Sequence, residues 1–559
     1  MERLPKKTSV DKEPDERLFN FRPVLFSAFF LCLGIVFSYF RETKEISPLF
    51  VFLPLGVLAA AFLLAQNKKK ALAAAFALML AFSLGATSFS LAFSSYRRVD
   101  AVDGYYTVEG RITEKSLGEE NGKIRIENLK FDGNEVDGAL IAYLPSSLAS
   151  SLQLSDKVKF SSYVQVNTQA FNDYGFRAEA IAESTRFYAG TVSQLSVTGH
   201  EKDRLLAVRQ KIGEAVQKGM GETPAGVTLA VLLGDTSAMD EGLLENVRRG
   251  GIAHIFAVSG LHIGTLFAVL IALMKKTKLY ALPKAVRFLL VLCVLLFYGG
   301  VCGYSASVVR ATVTCLALYL YRLLGEKSDS LETISFAAIC VLLFQPTQLF
   351  AVGFQLSFAA CYGIAIFSRP LGETAHCLIA KGEGLILQKL FKRPPKEAVD
   401  MFERDTAPPS LYELAKRSAI GFLSVSVSAQ AFTFPVQLIS FGYVSNAGLF
   451  LNCLFVPLLS VVFCPLLAFV VAASLLSVFG TAILFVPNVV LSALMLLFEA
   501  VDFSSAVSEG ASLSAGGVIV YYLFFLCLSD KYNGTRKQKI LSAGICAAAF
   551  AVCFFAVNL

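Results

Sequence analysis

Apolar runs about as long as a bilayer is thick recur along nearly the whole chain from Phe21 onward, and no other feature limits the fold as much. A run of roughly 20 apolar residues, wound as a helix, crosses a hydrocarbon layer of about 30 Å. Only 17% of the 559 residues are charged, and 55% are hydrophobic. So little charge cannot cover a soluble protein of this length. The sequence predicts an all-α polytopic membrane bundle. Its first run, Val24 to Phe40, lacks a small-residue cleavage site and ends in Tyr39-Phe40-Arg41, so it reads as a retained helix.

Basic residues set the expected path. The tail 1–21 is followed by three spans within 22–96, near 22–40, 47–66 and 71–95. Lys6, Lys7, Lys12, Arg17 and Arg22 before the first span, and Lys68, Lys69 and Lys70 after the second, belong in the cytoplasm. Residues 251–559 carry further spans near 252–274, 284–303, 305–324, 330–346, 348–368, 418–440, 447–477, 481–500, 513–529 and 538–557. Lys275, Lys276 and Lys278, the loop 369–417, and the loop with Lys531, Arg536, Lys537 and Lys539 fall inside on this path. It has about thirteen spans, a cytoplasmic N-terminus and Leu559 outside. The net charge of +7 needs no anionic partner, because cytoplasmic loops of membrane proteins are basic anyway.

The pattern changes over 97–200. Alternating segments at Tyr105–Thr113, Lys123–Phe131, Val136–Leu144, Lys157–Val166 and Phe176–Tyr188 read as strands, separated by turns such as Asp132-Gly133-Asn134 and Asp137-Gly138. Five strands fit a small extracellular OB-like barrel or a small β-sandwich, and strand count does not separate them. Residues 201–250 read as an amphipathic helix, interfacial or a linker, then the short apolar stretch Pro224–Gly234, re-entrant because it is too short to span. The cysteines lie nearly all in apolar runs with no CxxC pair, and 97–200 has none, so neither a disulfide there nor a thiolate metal site is expected.

Several polar residues stand out. Asp240–Arg249 reads as a helix with acid at its start and Arg248 and Arg249 at its end, which suits the helix dipole equally as well as two cations at a pore mouth. His254 and His262, eight apart, would sit about 12 Å apart on a straight helix, so they read as packing groups or as pore-lining donors rather than as metal ligands. Gly260 and Gly264, and Gly299 and Gly303, have helix-packing spacing. Arg310 lies inside an apolar run, either snorkelling to the surface or facing an anion. Gln345, Gln355, Ser357, Gln430, Gln437, Asn446 and Asn452 are polar groups at membrane depth, for which interhelical hydrogen bonding is the default.

Four blocks in order resemble the ComEC competence family. They are Leu233-Gly-Asp through Ala257-Val-Ser-Gly-Leu-His-Ile-Gly264, Gly303-Tyr-Ser-Ala-Ser-Val-Val-Arg-Ala-Thr312, Phe344-Gln-Pro with Val352-Gly-Phe-Gln-Leu-Ser-Phe-Ala-Ala360, and Ser428-Ala-Gln with Phe434-Pro-Val, Asn452 and Val456-Pro. Asn172-Asp-Tyr-Gly-Phe176 is similar to the end of that family's OB-like domain. The resemblance implies a channel passing single-stranded DNA across the cytoplasmic membrane in natural transformation. It implies Asp235, Arg248, Arg249, His254, Ser259, His262, Arg310, Gln355 and Gln430 as channel positions. Partners would be single-stranded DNA, membrane lipid, a DNA receptor outside and a helicase or ATPase inside. Many family members also carry a β-lactamase-like metal domain with an HxHxDH motif. That motif is not in this sequence, so neither enzymatic activity, nor a catalytic residue, nor a metal, nor a cofactor is expected, and a separate nuclease would degrade the other strand.

An OB-like domain would receive a single strand through aromatic stacking and phosphate contacts. Arg111, Lys123, Arg125, Lys157, Lys159 and Arg177 are candidate cations. Tyr143, with Tyr105, Tyr106, Phe131, Tyr163, Tyr174 and Phe176, supplies candidate rings, and core or ordinary surface is the default reading of each. Residues 97–200 hold 11 Lys and Arg against 14 Asp and Glu, so any phosphate site there must be local to one face. The competing reading is a transporter of a small solute with an extracellular accessory domain.

Overall fold

The computed structural model describes residues 22–44, 69–97, 102–116, 121–166, 185–200, 204–256, 258–325, 329–391, 411–445, 447–499, 507–509, 513–528 and 536–558. The tail 1–21, the expected span 47–66, Asn172–Phe176, Arg177 and Leu559 lie outside them. Seven helices among the described residues are long and apolar enough to cross a membrane. Helices α1 (Pro23–Lys44) and α2 (Lys69–Arg97) pack at backbone distance. A Cβ on Gly34 would run into the Phe82 carbonyl oxygen, and one on Gly85 into that of Leu31. Small residues thus allow contact where lipid offers helices no hydrophobic drive to associate.

Seven strands follow: β1 (Gly104–Ser116), β2 (Asn121–Phe131), β3 (Asn134–Val136), β4 (Ala139–Pro145), β5 (Asp156–Val166), β6 (Thr185–Ala189) and β7 (Ser193–His200). Strand β1 pairs with both β2 and β5, so the ring β1-β2-β4-β6-β5 closes on itself, with β4 and β6 parallel and the other neighbours antiparallel. This is a closed five-stranded barrel of OB type. The sandwich alternative falls because one sheet closes instead of two sheets stacking. The short helix α3 (Ser146–Ser151) follows β4 and buries Ala149 in the barrel core. Val108, Ile112, Ile124, Ile126, Phe160 and Phe187 fill the interior, at one-in-two spacing along their strands. Asp132 and Gly133 both take left-handed φ, +49° and +89°, as a two-residue hairpin turn requires. The expected strand Val136–Leu144 is divided into β3 and β4 at Asp137-Gly138. Of the expected strand Phe176–Tyr188, the described part begins at Thr185. Strand β7 gave no sequence signal, because it lies against β5 with most of its residues exposed.

The rest of the chain is helical. Helix α4 (Arg204–Gly219) buries Ile212 and Val216 against α13 (Gly448–Leu475) and α14 (Gly480–Glu499), so its apolar face is held by the bundle. Helix α5 (Glu222–Leu233) is buried from Pro224 to Leu233 and stops at left-handed Gly234, φ +71°. Next come α6 (Glu241–Arg249), α7 (Gly260–Lys276), α8 (Lys284–Val301), α9 (Ala306–Leu324), α10 (Ser330–Phe344), α11 (Val352–Phe391), α12 (Leu411–Phe441), α15 (Ala515–Leu528) and α16 (Arg536–Asn558). Short strands β8 (Tyr443–Ser445) and β9 (Val507–Glu509) pair beyond the ends of α12 and α14.

Part of the expected loop 369–417 is instead helix. Helix α11 continues through 40 residues to Phe391, and α12 already begins at Leu411. Past the apolar stretch, the Arg369–Glu373 pair at 3.2 Å has the i,i+4 spacing that supports a solvated helix. The expected span 252–274 is also broken, by a 3-10 turn at Ala253–Ile255, before α7 starts.

Two apolar clusters form the bundle. One joins α4–α9 with α13 and α14, and the other joins α1, α2, α10 and α11. Arg22 and Asp329 pair at 2.5 Å, and Val24 N–H donates to Glu332, so the starts of α1 and α10 meet at one end.

Candidate functional site

Gly303 and Tyr304, with φ of +77° and +51°, turn the chain between α8 and α9. One and a half turns into α9, Arg310 points inward and is 3% exposed, so it does not snorkel. Its Nη2 donates to Ser307 Oγ at 2.9 Å, and its guanidinium carbon sits 5.9 Å from the centre of the Phe354 ring. Phe354 belongs to the second apolar cluster, while Val308, two residues before Arg310, belongs to the first. The cation therefore occupies the seam between them. Gly353, without a side chain, borders the guanidinium. Nε and Nη1 of Arg310 have no partner among the described residues. A buried cation so poorly satisfied is costly.

Three of the other buried polar atoms without a partner among the described residues lie on α7, α9 and α13. They are His262 Nε2 on α7, Thr312 Oγ1 on α9 and Asn452 Oδ1 on α13. His262 caps its own helix: Nδ1 accepts the Ser259 backbone N–H at 3.0 Å. This places the proton of the neutral ring on Nε2. The ring stacks on Phe463, centroids 4.7 Å apart. His254 sits exposed in the 3-10 turn Ala253–Ile255. The single straight helix expected to carry this pair does not form, because α7 begins only after His254. Among the described residues no three His, Cys, Asp or Glu side chains gather into a metal-ligating group. If His262 acts as a cap, His262→Gln holds the thermal midpoint of the purified protein, while His262→Ala loses about 1–3 kcal/mol by stranding the Ser259 N–H. Equal melting of the two variants would reject the cap.

The other expected channel residues are dispersed. Asp235 binds the Ser237 hydroxyl at 2.6 Å and backbone N–H at 3.1 Å, and lies 3.5 Å from Arg209 on α4. Nothing in the sequence singles out Arg209 among the charges of its amphipathic helix. Its nearness to Asp235 and to Gly303 comes from tertiary packing. Arg248 and Arg249 are exposed on α6, and both reach Glu245, at 3.9 and 2.8 Å. Asp240 caps that helix by accepting from Leu243 N–H. Gln355 Nε2 donates to the Leu349 carbonyl at 3.0 Å, tying α11 to the turn before it. Gln430 is half-buried on α12. Gly260 comes within contact of Ala311, whereas Gly264 has open space, so the first glycine pair is not a continuous packing motif.

On the barrel, Lys123 and Tyr143 face each other directly across β2 and β4, both exposed. These are the second and third strands of the ring, the pair with which OB barrels bind oligonucleotides. Tyr105 and Tyr163 oppose each other across β1 and β5 with ring centres 5.2 Å apart. Arg125 pairs with Glu127 at 3.1 Å, and Lys159 with Glu109 at 2.7 Å. Arg111 and Lys157 are neighbours across β1 and β5. Phe131 is buried and stacks on Tyr106, so these two candidate rings belong to the core.

A family model described as Competence protein matches residues 231–529, a stretch that holds every expected channel residue and none of the barrel. The chain is 26% identical over 198 residues to ComE operon protein 3 of Bacillus subtilis (strain 168), covering 35% of this chain and 25% of that protein. It is 32% identical over 139 residues to Competence protein ComA of Neisseria gonorrhoeae, covering 24% of this chain and 20% of that protein. The aligned stretches thus span a quarter or less of these relatives. No solved structure matches.

Proposed function

The chain belongs to the family described as Competence protein, and on that premise we propose that it conducts single-stranded DNA across the cytoplasmic membrane during uptake for transformation. The observation that carries this reading is Arg310, a buried guanidinium with Nε and Nη1 unmatched, set in the seam between two helix clusters. A polyanion crossing hydrocarbon needs such cations along its way, because each phosphate otherwise loses its water without compensation. The Asp235–Arg209 pair lies near the Gly303 end of α9, and the strand would pass it before reaching Arg310. In this scheme the barrel faces outward and receives the strand by stacking on Tyr143 beside Lys123. A receptor outside, a helicase or ATPase inside and a separate nuclease would hand over, pull and trim the DNA. The protein itself would act as a conduit and not as a catalyst.

The test is reconstitution of the full chain in vesicles, offered a labelled oligonucleotide and, separately, labelled small solutes. The expected result is oligonucleotide entry that depends on the protein and on an inward driving force. Protein-dependent uptake of a small solute with no oligonucleotide entry would replace the conduit with a solute carrier.

A further inference from the structure

At the other end of α9 from Gly303, a cavity of about 210 Å³ opens between α7, α8 and α9. Lys275, Lys284, Arg287 and Arg322 line it together with Tyr280 and Tyr319, and no carboxylate lines it. Four cations in so small a volume repel one another unless an anion joins them. Arg287 is the most telling of the four. It is 9% exposed, its guanidinium lies 4.5 Å from the centre of the Tyr280 ring, and its Nε has no partner among the described residues. Lys284 Nζ reaches the Leu323 carbonyl at 2.7 Å, which draws α8 and α9 together at the rim.

The apolar surroundings select among anions. Leu290, one turn from Arg287 on α8, is exposed, and so is Leu320, one turn from the wall residue Leu323 on α9. A cationic pocket therefore gives onto a bare leucine surface running toward the membrane centre. That combination fits a molecule with an anionic head and apolar tails, and not a strand that is charged along its whole length. Lys275, Lys276 and Lys278 put this end on the cytoplasmic side by the excess of positive charge there.

We propose that the pocket holds the phosphodiester head group of an anionic phospholipid from the cytoplasmic leaflet, with its acyl chains along Leu290 and Leu320. The head group would bridge helices that begin or end at this face and so fix their spacing. The site lies apart from Arg310 and does not depend on strand conduction.

The experiment uses delipidated full-length protein in detergent, titrated with phosphatidylglycerol or phosphatidylcholine and read by native mass spectrometry. Phosphatidylglycerol is expected to bind at about tenfold lower concentration, since several charge-assisted contacts to one phosphate are at stake. Lys275→Gln combined with Arg322→Gln, both at exposed positions, is expected to remove that preference, as is Arg287→Gln where it folds. Equal binding of the two lipids, or a preference that survives the Lys275/Arg322 variant, overturns the proposal. Displacement of phosphatidylglycerol by a short single-stranded oligonucleotide also overturns it and assigns the pocket to the strand.

Discussion

Arg310→Gln cuts uptake of labelled single strands by about tenfold or more at normal membrane levels, the loss expected when one desolvated charge-assisted contact of about 1.4 kcal/mol or more disappears. The same substitution leaves the thermal midpoint unchanged or raises it. That second readout separates a ligand-directed arginine from a structural one. Removing a fully paired buried cation costs several kcal/mol, because its partner is stranded. Among the described residues its hydrogen-bond acceptor is the Ser307 hydroxyl, which also has solvent or backbone alternatives in a helix, and Nε and Nη1 have no partner. Neutralising the group therefore relieves a desolvation cost. Arg310→Lys keeps the charge without the planar fork and should recover part of the uptake. Unchanged uptake in Arg310→Gln, with the protein present in the membrane, removes the residue from the path.

An isolated fragment spanning 97–200 binds single-stranded oligonucleotides with an affinity that falls as salt rises. The closed barrel with its own core makes this fragment a reasonable folding unit. Tyr143→Ala weakens binding by about 1–3 kcal/mol, the usual worth of one base stacked on one ring. Lys123→Gln lowers the slope of affinity against salt by about one phosphate contact. Lys159→Gln has little effect, because Glu109 already matches its charge at the surface. Fluorescence anisotropy across a salt series measures all three. A folded fragment without salt-dependent affinity would make the barrel a scaffold.

Much of the fold could be read from residue order alone. Hydrophobic length marked the helices, and alternation marked β1, β2 and β5, because burial of one face writes itself into every second residue. Alternation could not show that β1 pairs with both β2 and β5, since pairing joins residues far apart in the chain. Helix α11 ran past its expected end because a solvated helix needs no apolar signal to continue. At the candidate site, a lone arginine in an apolar run was visible in the sequence. Whether it reached the surface or turned inward depended on where α11 would place Phe354 and Gly353.

The sequence by itself determined that this protein lives in a membrane, carries a small β-domain and keeps a few polar groups at depth, because solvent transfer is a property of each segment taken alone. Only the tertiary structure decided which of those groups stay unmatched. Arg248 and Arg249 found Glu245 one turn away, and Asp235 found Arg209 across the bundle. Arg310 met a hydroxyl, an aromatic face and the gap beside Gly353. A partner on the same helix, like Glu245, is a matter of local spacing, but for the other charges satisfaction is settled only when helices distant in the chain are brought side by side.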